Sequence, residues 1–319
     1  MGAPERERCS TTNMIIGVDI GGTKTHAIAF DSAFVSLGEL QVPTVVGDAA
    51  LVSNTVVETI ADLCEKVTGR SLSAIGIGIP GLVDQPAGTV RQAVNLGIGD
   101  EPLRIEEQVR GMFRVPCLVD NDVNLAALGA FLRLRNSDEI RNLAYLSVGT
   151  GIAAGVIVDG RVHRGRRGVA GEIGHLPIVP DGPECECGLT GCLEVLASGS
   201  AIARLWPATP DTHPAKALLA AAHDGDQLAL ETLESIADHL ARAVHLLAVT
   251  YDPDLVVIGG GVAEVGDPLL DAIKNAVRRL EQRSSFVTSL DVTSRLVLKP
   301  GGAIGAYGAA ALAESGRFG

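Results

Sequence analysis

The sequence predicts an α/β protein built from two halves of similar design, and three observations carry that expectation. Short apolar runs rich in β-branched residues alternate with longer stretches whose apolar residues recur at helical spacing. An apolar strand, a tight Gly/Thr turn and a second apolar strand occur at Met14–Phe30 and again at Leu143–Gly160, at an offset of 128 residues. The chain has 319 residues, 46% hydrophobic and 20% charged. That is too apolar for a disordered chain and long enough for one large domain or two.

The elements follow in order. Met14–Ile20 is a β-branched run that stops at Gly21-Gly22-Thr23-Lys24 and resumes as Thr25–Phe30, which reads as a hairpin. Ala49–Thr68 has helical spacing, with Gly69 as its stop. Ser73–Ile79 reads as a buried strand ended by Pro80-Gly81, Val115–Val119 as another strand, and Asn124–Leu134 as a helix. At Leu143–Gly160 the opening repeats: with Gly21 set on Gly149 and Thr23 on Gly151, Ile28, Ala29, Phe30 and Asp31 fall on Val156, Ile157, Val158 and Asp159. Gly165–Gly191 is a glycine-rich, cysteine-bearing loop region, and Glu231–Val249 a long helix stopping before Tyr251-Asp252-Pro253. Leu255–Ile258 is a buried strand running into Gly259-Gly260-Gly261, and Gly301–Leu312 an Ala-rich helix of small residues. No low-complexity linker separates the halves, so they are expected to be tightly joined.

Composition excludes several roles. Lys+Arg 26 against Asp+Glu 38 gives a net charge of −12, which disfavours non-specific binding to nucleic acid or anionic lipid. No apolar run is long enough to span a membrane, and the polar Met1–Asn13 segment does not read as a secretory signal. Six cysteines are too few for a disulfide scaffold, so a cytoplasmic protein is expected. Cys9, Cys64 and Cys117 are scattered and expected to be free thiols.

Several residues point to chemistry. Gly17–Thr25 is not a Walker motif, because Thr23 intervenes before Lys24 and a strand rather than a helix follows. The turn can still hold phosphate, with backbone N–H groups of Gly21 and Gly22, the Thr23 hydroxyl and the Lys24 cation, while Asp19 is placed for a hydrated Mg²⁺. Gly149-Thr150-Gly151 and Gly259-Gly260-Gly261 offer two further glycine turns, and a cleft between two such halves suits a nucleotide. Asp122 lies where a strand gives way to a helix and suits a general base for phosphoryl transfer, which asks little basicity because the transition state is loose. His175, Cys185, Cys187 and Cys192 form a closed tetrahedral donor set for a structural Zn²⁺. Such a metal would fix the loop and aim Glu172, His175 and Glu194 at one polyhydroxyl ligand. Arg161, Arg164, Arg166 and Arg167 read as a solvated or nucleotide-facing loop.

Six segments in order resemble one family: Asp19–Lys24 (DIGGTK), Ile79–Asp84 (IPGLVD), Asp120–Gly129 (DNDVNLAALG), Ser147–Gly155 (SVGTGIAAG), Gly171–His175 (GEIGH) and Cys185–Glu194 (CECGLTGCLE). Together they resemble the ROK family (repressors, open reading frames and kinases), and within it the zinc-containing, glucokinase-like sugar kinases. The resemblance runs from about Met14 to Leu312. It implies an actin-like (ribonuclease H-like) two-domain ATPase fold with duplicated halves: a smaller domain of residues 1–118 plus a C-terminal helix at about 303–319, and a larger one of 119–302 carrying the zinc loop. ATP with Mg²⁺ and a sugar would share the cleft. Asp122 would activate the 6-hydroxyl of a hexose, glucose before N-acetylmannosamine, mannose or fructose. Gly81, Asn95, Asn121, Glu172, His175 and Glu194 would contact the sugar. Gly21–Lys24 and Gly149–Gly151 would face phosphates, and Gly259–Gly261 the adenosine. The family also implies a homodimer or homotetramer. It includes sugar-sensing, non-catalytic repressors, which carry a DNA-binding domain before DIGGTK, whereas 18 residues precede Asp19 here. Polyphosphate-using members tend to lack the cysteine motif, so ATP is favoured. Two departures stand out. Asn95-Leu96-Gly97-Ile98-Gly99 replaces the Asn-Leu-Pro-Gly-Trp common in the glucokinases, and Ala130 stands where an acidic residue is common.

Overall fold

The structure, a computed structural model, describes residues 12–135, 139–209 and 211–315. The strands in chain order are β1 (Thr12–Ile20), β2 (Lys24–Phe30), β3 (Ser36–Pro43), β4 (Arg70–Ile79), β5 (Leu82–Asp84), β6 (Thr89–Arg91), β7 (Cys117–Asn121), β8 (Leu143–Val148), β9 (Ile152–Val158), β10 (Arg161–Val162), β11 (Leu255–Gly259) and β12 (Leu296–Leu298). The helices are α1 (Ala49–Lys66), α2 (Ile105–Phe113), α3 (Asp122–Leu134), α4 (Leu193–Ala197), α5 (Gly199–Leu205), α6 (Pro214–His223), α7 (Gln227–Tyr251), α8 (Asp267–Glu281), α9 (Ser285–Ser289), α10 (Val292–Arg295) and α11 (Ile304–Ser315). The described residues divide into two compact units, one of 12–122 with 305–315 and the other within 123–304.

The two units repeat one plan. Their sheets have the orders β3-β2-β1-β4-β7 and β10-β9-β8-β11-β12. In each, the first three strands in sequence pair antiparallel, and two later strands add in parallel. The duplicated halves expected from the sequence are therefore present as duplicated topology. The register differs in one respect. In the first hairpin Ile20 pairs with Thr25 and four residues make the turn, whereas in the second Val148 pairs with Ile152 across three. The offset of 128 holds for the leading strands, and the returning strands are displaced by one residue because the second turn is shorter.

In the first unit, Ile15, Ile16, Val18 and Ile20 of β1 and Ile75, Ile77 and Ile79 of β4 are buried, so the central strands are apolar on both faces. The amphipathic helix α1 covers one face with Val52, Val56, Ile60 and Leu63. It is capped by Asp48, whose side chain accepts from Ala50 N–H at 2.7 Å. Helix α11 lies on the same sheet so closely that a Cβ on Gly17 would collide with the Ala306 carbonyl and one on Gly76 with that of Ala309. Its first turn stands against the Asp19 carboxylate, leaving no room for a side chain at Gly305. The small residues of the last helix are what permit this approach. Gly76→Ala is therefore expected to lower stability by about 1–3 kcal/mol or more, because helix and strand must separate. A fall in the calorimetric unfolding temperature relative to wild type checks this.

In the second unit, α7 and α8 pack over β8 and β11 through Ile236, Leu240, Val244, Leu247, Leu269, Ile273 and Val277. Asp226 caps α7 by accepting from Ala229 N–H at 2.9 Å. The helix runs through Tyr251 and ends at Asp252, which has a positive φ of 41° and precedes Pro253. Among the boundaries that differ from the sequence reading, three have a local cause. β7 covers Cys117–Asn121 instead of Val115–Val119, because Pro116 cannot donate and its pairing with β4 continues as far as Ile79↔Asn121. α3 accordingly starts at Asp122, ahead of Asn124. α11 starts at Ile304, beyond Gly301, with Gly302 at φ 88° breaking the approach.

Candidate active site

In the first unit the β1–β2 turn is closed by Gly21 N–H donating to the Lys24 carbonyl at 2.9 Å, so that donor is already used. Gly22, Thr23 and Lys24 are exposed. The turn is pinned from β3's exit. The Thr44 hydroxyl donates to the Gly21 carbonyl at 2.7 Å, Thr44 N–H donates to the Thr23 carbonyl at 3.0 Å, and the Thr25 and Thr44 hydroxyls lie 3.1 Å apart. Thr44 has no motif of its own; the antiparallel pairing of β2 with β3, ending at Lys24↔Pro43, delivers it. Asp19 ends β1, and burial pushes its carboxyl up to about 6 against the opposing pull of His26, its cross-strand partner.

At the end of β7, Asp120 is buried and its Oδ1 accepts from Asn121 N–H at 2.8 Å. Asn121 Nδ2 donates to the Gly81 carbonyl at 3.3 Å, so the structure brings together two of the residues expected on the sugar side. Asp122 follows as the first residue of α3. Asn95 is exposed in a 3₁₀ turn, Val94–Leu96. The loop that departs from the glucokinase pattern is nonetheless well packed, with Leu96 and Ile98 buried and Gln92 N–H donating to the Gly99 carbonyl at 2.8 Å.

In the second unit the β8–β9 turn closes in the same manner, with Gly149 N–H donating to the Gly151 carbonyl at 2.9 Å. The chain after α4 supports it: Gly199 N–H donates to the Gly149 carbonyl at 2.7 Å and Ser200 N–H to the Thr150 carbonyl at 3.3 Å. Gly259-Gly260-Gly261 leaves β11 directly beside it, since a Cβ on Gly149 would sit 4.0 Å from the Gly261 nitrogen. The buried Tyr145 hydroxyl accepts from Gly260 N–H at 3.3 Å, an anchor that no sequence signal marks. Glu172, His175 and Glu194 also gather in this unit. Burial raises the Glu172 carboxyl, His175 lowers it and the Glu194 charge raises it again. Glu194 Oε2 accepts from Ile152 N–H at 3.0 Å.

The cysteine-bearing loop is folded by its own backbone bonds, Cys185 N–H to the Leu189 carbonyl at 2.8 Å and Ile178 N–H to the Gly191 carbonyl at 2.8 Å among them. His175, Cys185 and Cys187 place one ligand atom each within 4.8 Å of one another. His175 Nδ1 is 3.6 Å from Cys185 Sγ, and Cys187 Sγ is 3.7 Å from Cys192 Sγ. Tetrahedral Zn²⁺ with normal Zn–S and Zn–N lengths requires donor separations of roughly 3.5–3.8 Å. Those two separations match edges of a zinc tetrahedron, while Cys192 lies outside the set of donor atoms that are all within 4.8 Å of one another. Cys64 and Cys117 are free thiols far from this loop in sequence, and Cys9 lies outside the described residues.

Comparison with known proteins agrees with this architecture. The sequence pattern of the ROK family matches residues 15–315. The glucokinase of Halalkalibacterium halodurans is 35% identical over 81% of this chain and 83% of its own length. The crystal structure of the ROK hexokinase from Thermus thermophilus superimposes with a TM-score of 0.76 at 34% identity, covering 94% of this chain and 98% of that one. The ROK family glucokinase from Streptomyces griseus, in complex with glucose and AMPPNP, gives a TM-score of 0.77 at 32% identity over 95% and 99%. The match across nearly the whole chain, on a duplicated actin-like fold, means that this protein belongs to the ROK family.

Proposed function

We propose that this chain is a hexose kinase that transfers the γ-phosphoryl group of Mg²⁺-ATP to the 6-hydroxyl of a hexose, with glucose the first choice. Family membership and the glucokinase relatives support the class of reaction. The observation that carries the reading is the pairing of two glycine turns, at matching places in duplicated sheets, with a Glu172–His175–Glu194 set beside the second. Asp122 accepts the 6-hydroxyl proton as the oxygen–phosphorus bond forms and the bond from the γ-phosphorus to the β,γ-bridging oxygen breaks, releasing ADP. Gly22, Thr23 and Lys24 of the first turn, with Thr150 and Gly151 of the second, hold phosphate oxygens. Gly259–Gly261 takes the adenosine. Gly81, Asn95, Asn121, Glu172, His175 and Glu194 contact the sugar. Asp19 orients the hydrated Mg²⁺.

His175, Cys185, Cys187 and Cys192 would hold a structural Zn²⁺, whose four protein ligands leave it no position for substrate, so it would supply rigidity to the loop that carries Glu172 and Glu194. The resemblance to the family favours a homodimer or homotetramer, which light scattering would read directly. The free thiols among the described residues favour the cytoplasm. No helix among those residues is long and apolar enough to cross a membrane.

A coupled ADP-release assay across glucose, mannose, fructose, N-acetylglucosamine and N-acetylmannosamine tests the substrate. The highest kcat/KM on glucose supports the glucose assignment, and a higher value on another sugar moves it. Asp19 gives a second test. Its folded pKa of about 6 lies above the ordinary 3.8, so its charge costs stability above pH 6 and that cost is relieved as the pH falls towards 4. In nucleotide-free and metal-free protein, Asp19→Asn is expected to raise the unfolding temperature at pH 8 and to lose that advantage near pH 4. The same variant is expected to be inactive at every pH. Calorimetry at both pH values and the ADP assay check this.

A further inference from the structure

Glu194 stands in two neighbourhoods. Two residues before it stands Cys192 of the cysteine-bearing loop, which is the N-cap of its helix, and the charge of Glu194 is felt by Glu172. Through Oε2 it accepts from Ile152 N–H at 3.0 Å, and Ile152 is the residue that closes the second glycine turn. The same oxygen rests against Gly151, where a Cβ would collide with it. The support is local and continuous. Gly174 lies 3.5 Å, measured from its absent Cβ, from the Glu194 Cβ, and Ser198 N–H donates to the Glu194 carbonyl at 3.1 Å just before Gly199 grips Gly149.

We propose that Glu194 is a positioning residue for the second phosphate turn, so that one carboxylate links the sugar set to the nucleotide set. The inference rests on the hexose-kinase reading for the identity of the two ligands. A carboxylate has two oxygens, and the charge-assisted bond to Ile152 uses Oε2. Oε1 remains for a sugar hydroxyl, and a hydroxyl bound there fixes the side-chain torsions that aim Oε2 at the turn. A bound sugar therefore holds Ile152 and Gly151 in place for phosphate. By linkage a bound nucleotide holds Glu194 in place for sugar to the same degree. Gly151 is required on this account because any side chain there would push the carboxylate aside.

Titration calorimetry of the full chain with a non-hydrolysable ATP analogue, with and without glucose, tests the link. In wild type, glucose is expected to tighten the analogue by about five-fold or more, within the usual range of coupling between sites. Glu194→Ala is expected to weaken the analogue in sugar-free protein and to abolish the effect of glucose. Glu194→Gln keeps an acceptor for Ile152 N–H, so its sugar-free nucleotide affinity is expected to stay near wild type while its glucose affinity falls. Gly151→Ala, a change in the nucleotide turn, is expected to weaken glucose binding measured without nucleotide. The link is overturned if Glu194→Ala binds the analogue as wild type does in the absence of sugar, or if Gly151→Ala leaves nucleotide-free glucose affinity unchanged. Circular dichroism and calorimetric unfolding establish that each variant is folded. Wild-type protein that phosphorylates no hexose would contradict the parent reading instead, a result separate from these binding comparisons.

Discussion

Asp122→Ala is expected to lower kcat for hexose phosphorylation by a factor of about 10²–10⁴, the range typical of a lost general base. KM for ATP should change little, because the nucleotide groups lie on other elements. The reasoning starts from local structure. β7 pairs with β4 out to Asn121, and α3 begins at the next residue, so Asp122 is held where strand gives way to helix. Partial positive charge at the helix N-terminus favours the ionised carboxylate, which limits its basicity and secures its charge. That compromise suits phosphoryl transfer, where the hydroxyl proton departs late. Asp122→Asn keeps the shape and a side-chain oxygen at the start of the helix, and should lose as much kcat. Two inactive variants, the Asn one isosteric, with unchanged unfolding temperatures would assign the loss to proton transfer. A kcat within three-fold of wild type for both would remove Asp122 from the chemistry.

The second large effect is expected at the cysteine-bearing loop. Metal analysis should find one zinc per chain, and Cys185→Ser combined with Cys192→Ser should abolish it. Cys185 and Cys192 are buried while His175 and Cys187 are exposed, so half the proposed donor set is sealed inside the loop. Zinc held this way contributes folding energy to the segment it ties together. On the proposed reading His175 serves both as a donor and in the sugar set, and Glu194 lies in the first turn of α4, whose N-cap is Cys192. Removal of the metal with a chelator is therefore expected to raise the glucose KM by at least about ten-fold, a size seen when supporting contacts of metal sites are lost. Added Zn²⁺ should restore it and Mg²⁺ should not. A zinc-free protein with wild-type KM would separate the loop from sugar recognition.

The parts of this architecture that are legible in sequence are those buried on both faces. Ile15, Ile16, Val18, Ile75 and Ile77 announce central strands because they are buried on both faces of the sheet. The two glycine turns are legible because a break in such a run must be a turn. Their difference of one residue is not, since it shows only once the pairing partners are known. Edge strand β3, with the sequence SLGELQVP, alternates between covered and exposed and carries glycine and proline, so it gives a weak strand signal. Helix α8 repeats apolar residues from Leu269 to Val277 at helical spacing, a signal that the sequence reading does not assign to a helix.

At the candidate site, spacing alone gathers Cys185, Cys187 and Cys192, and the loop's fold then brings His175 to within 3.6 Å of Cys185. Residues that act through backbone are hidden. Thr44 reaches the first glycine turn only because β3 returns antiparallel to β2. Tyr145 reaches Gly260 only because β8 and β11 run side by side, with Val257 opposite Tyr145. Neither residue type nor spacing encodes those contacts; strand register does.

The central claim is phosphoryl transfer from ATP to a hexose, and phosphorus NMR of one reaction tests it most directly. Wild-type protein with Mg²⁺-ATP and glucose should convert the γ-phosphate signal into that of a sugar phosphomonoester at carbon 6, with one ADP formed per ester. The Asp122→Ala reaction should stay near its starting spectrum. Free phosphate without ester, or no change with any hexose in a protein shown to carry zinc, would contradict the account.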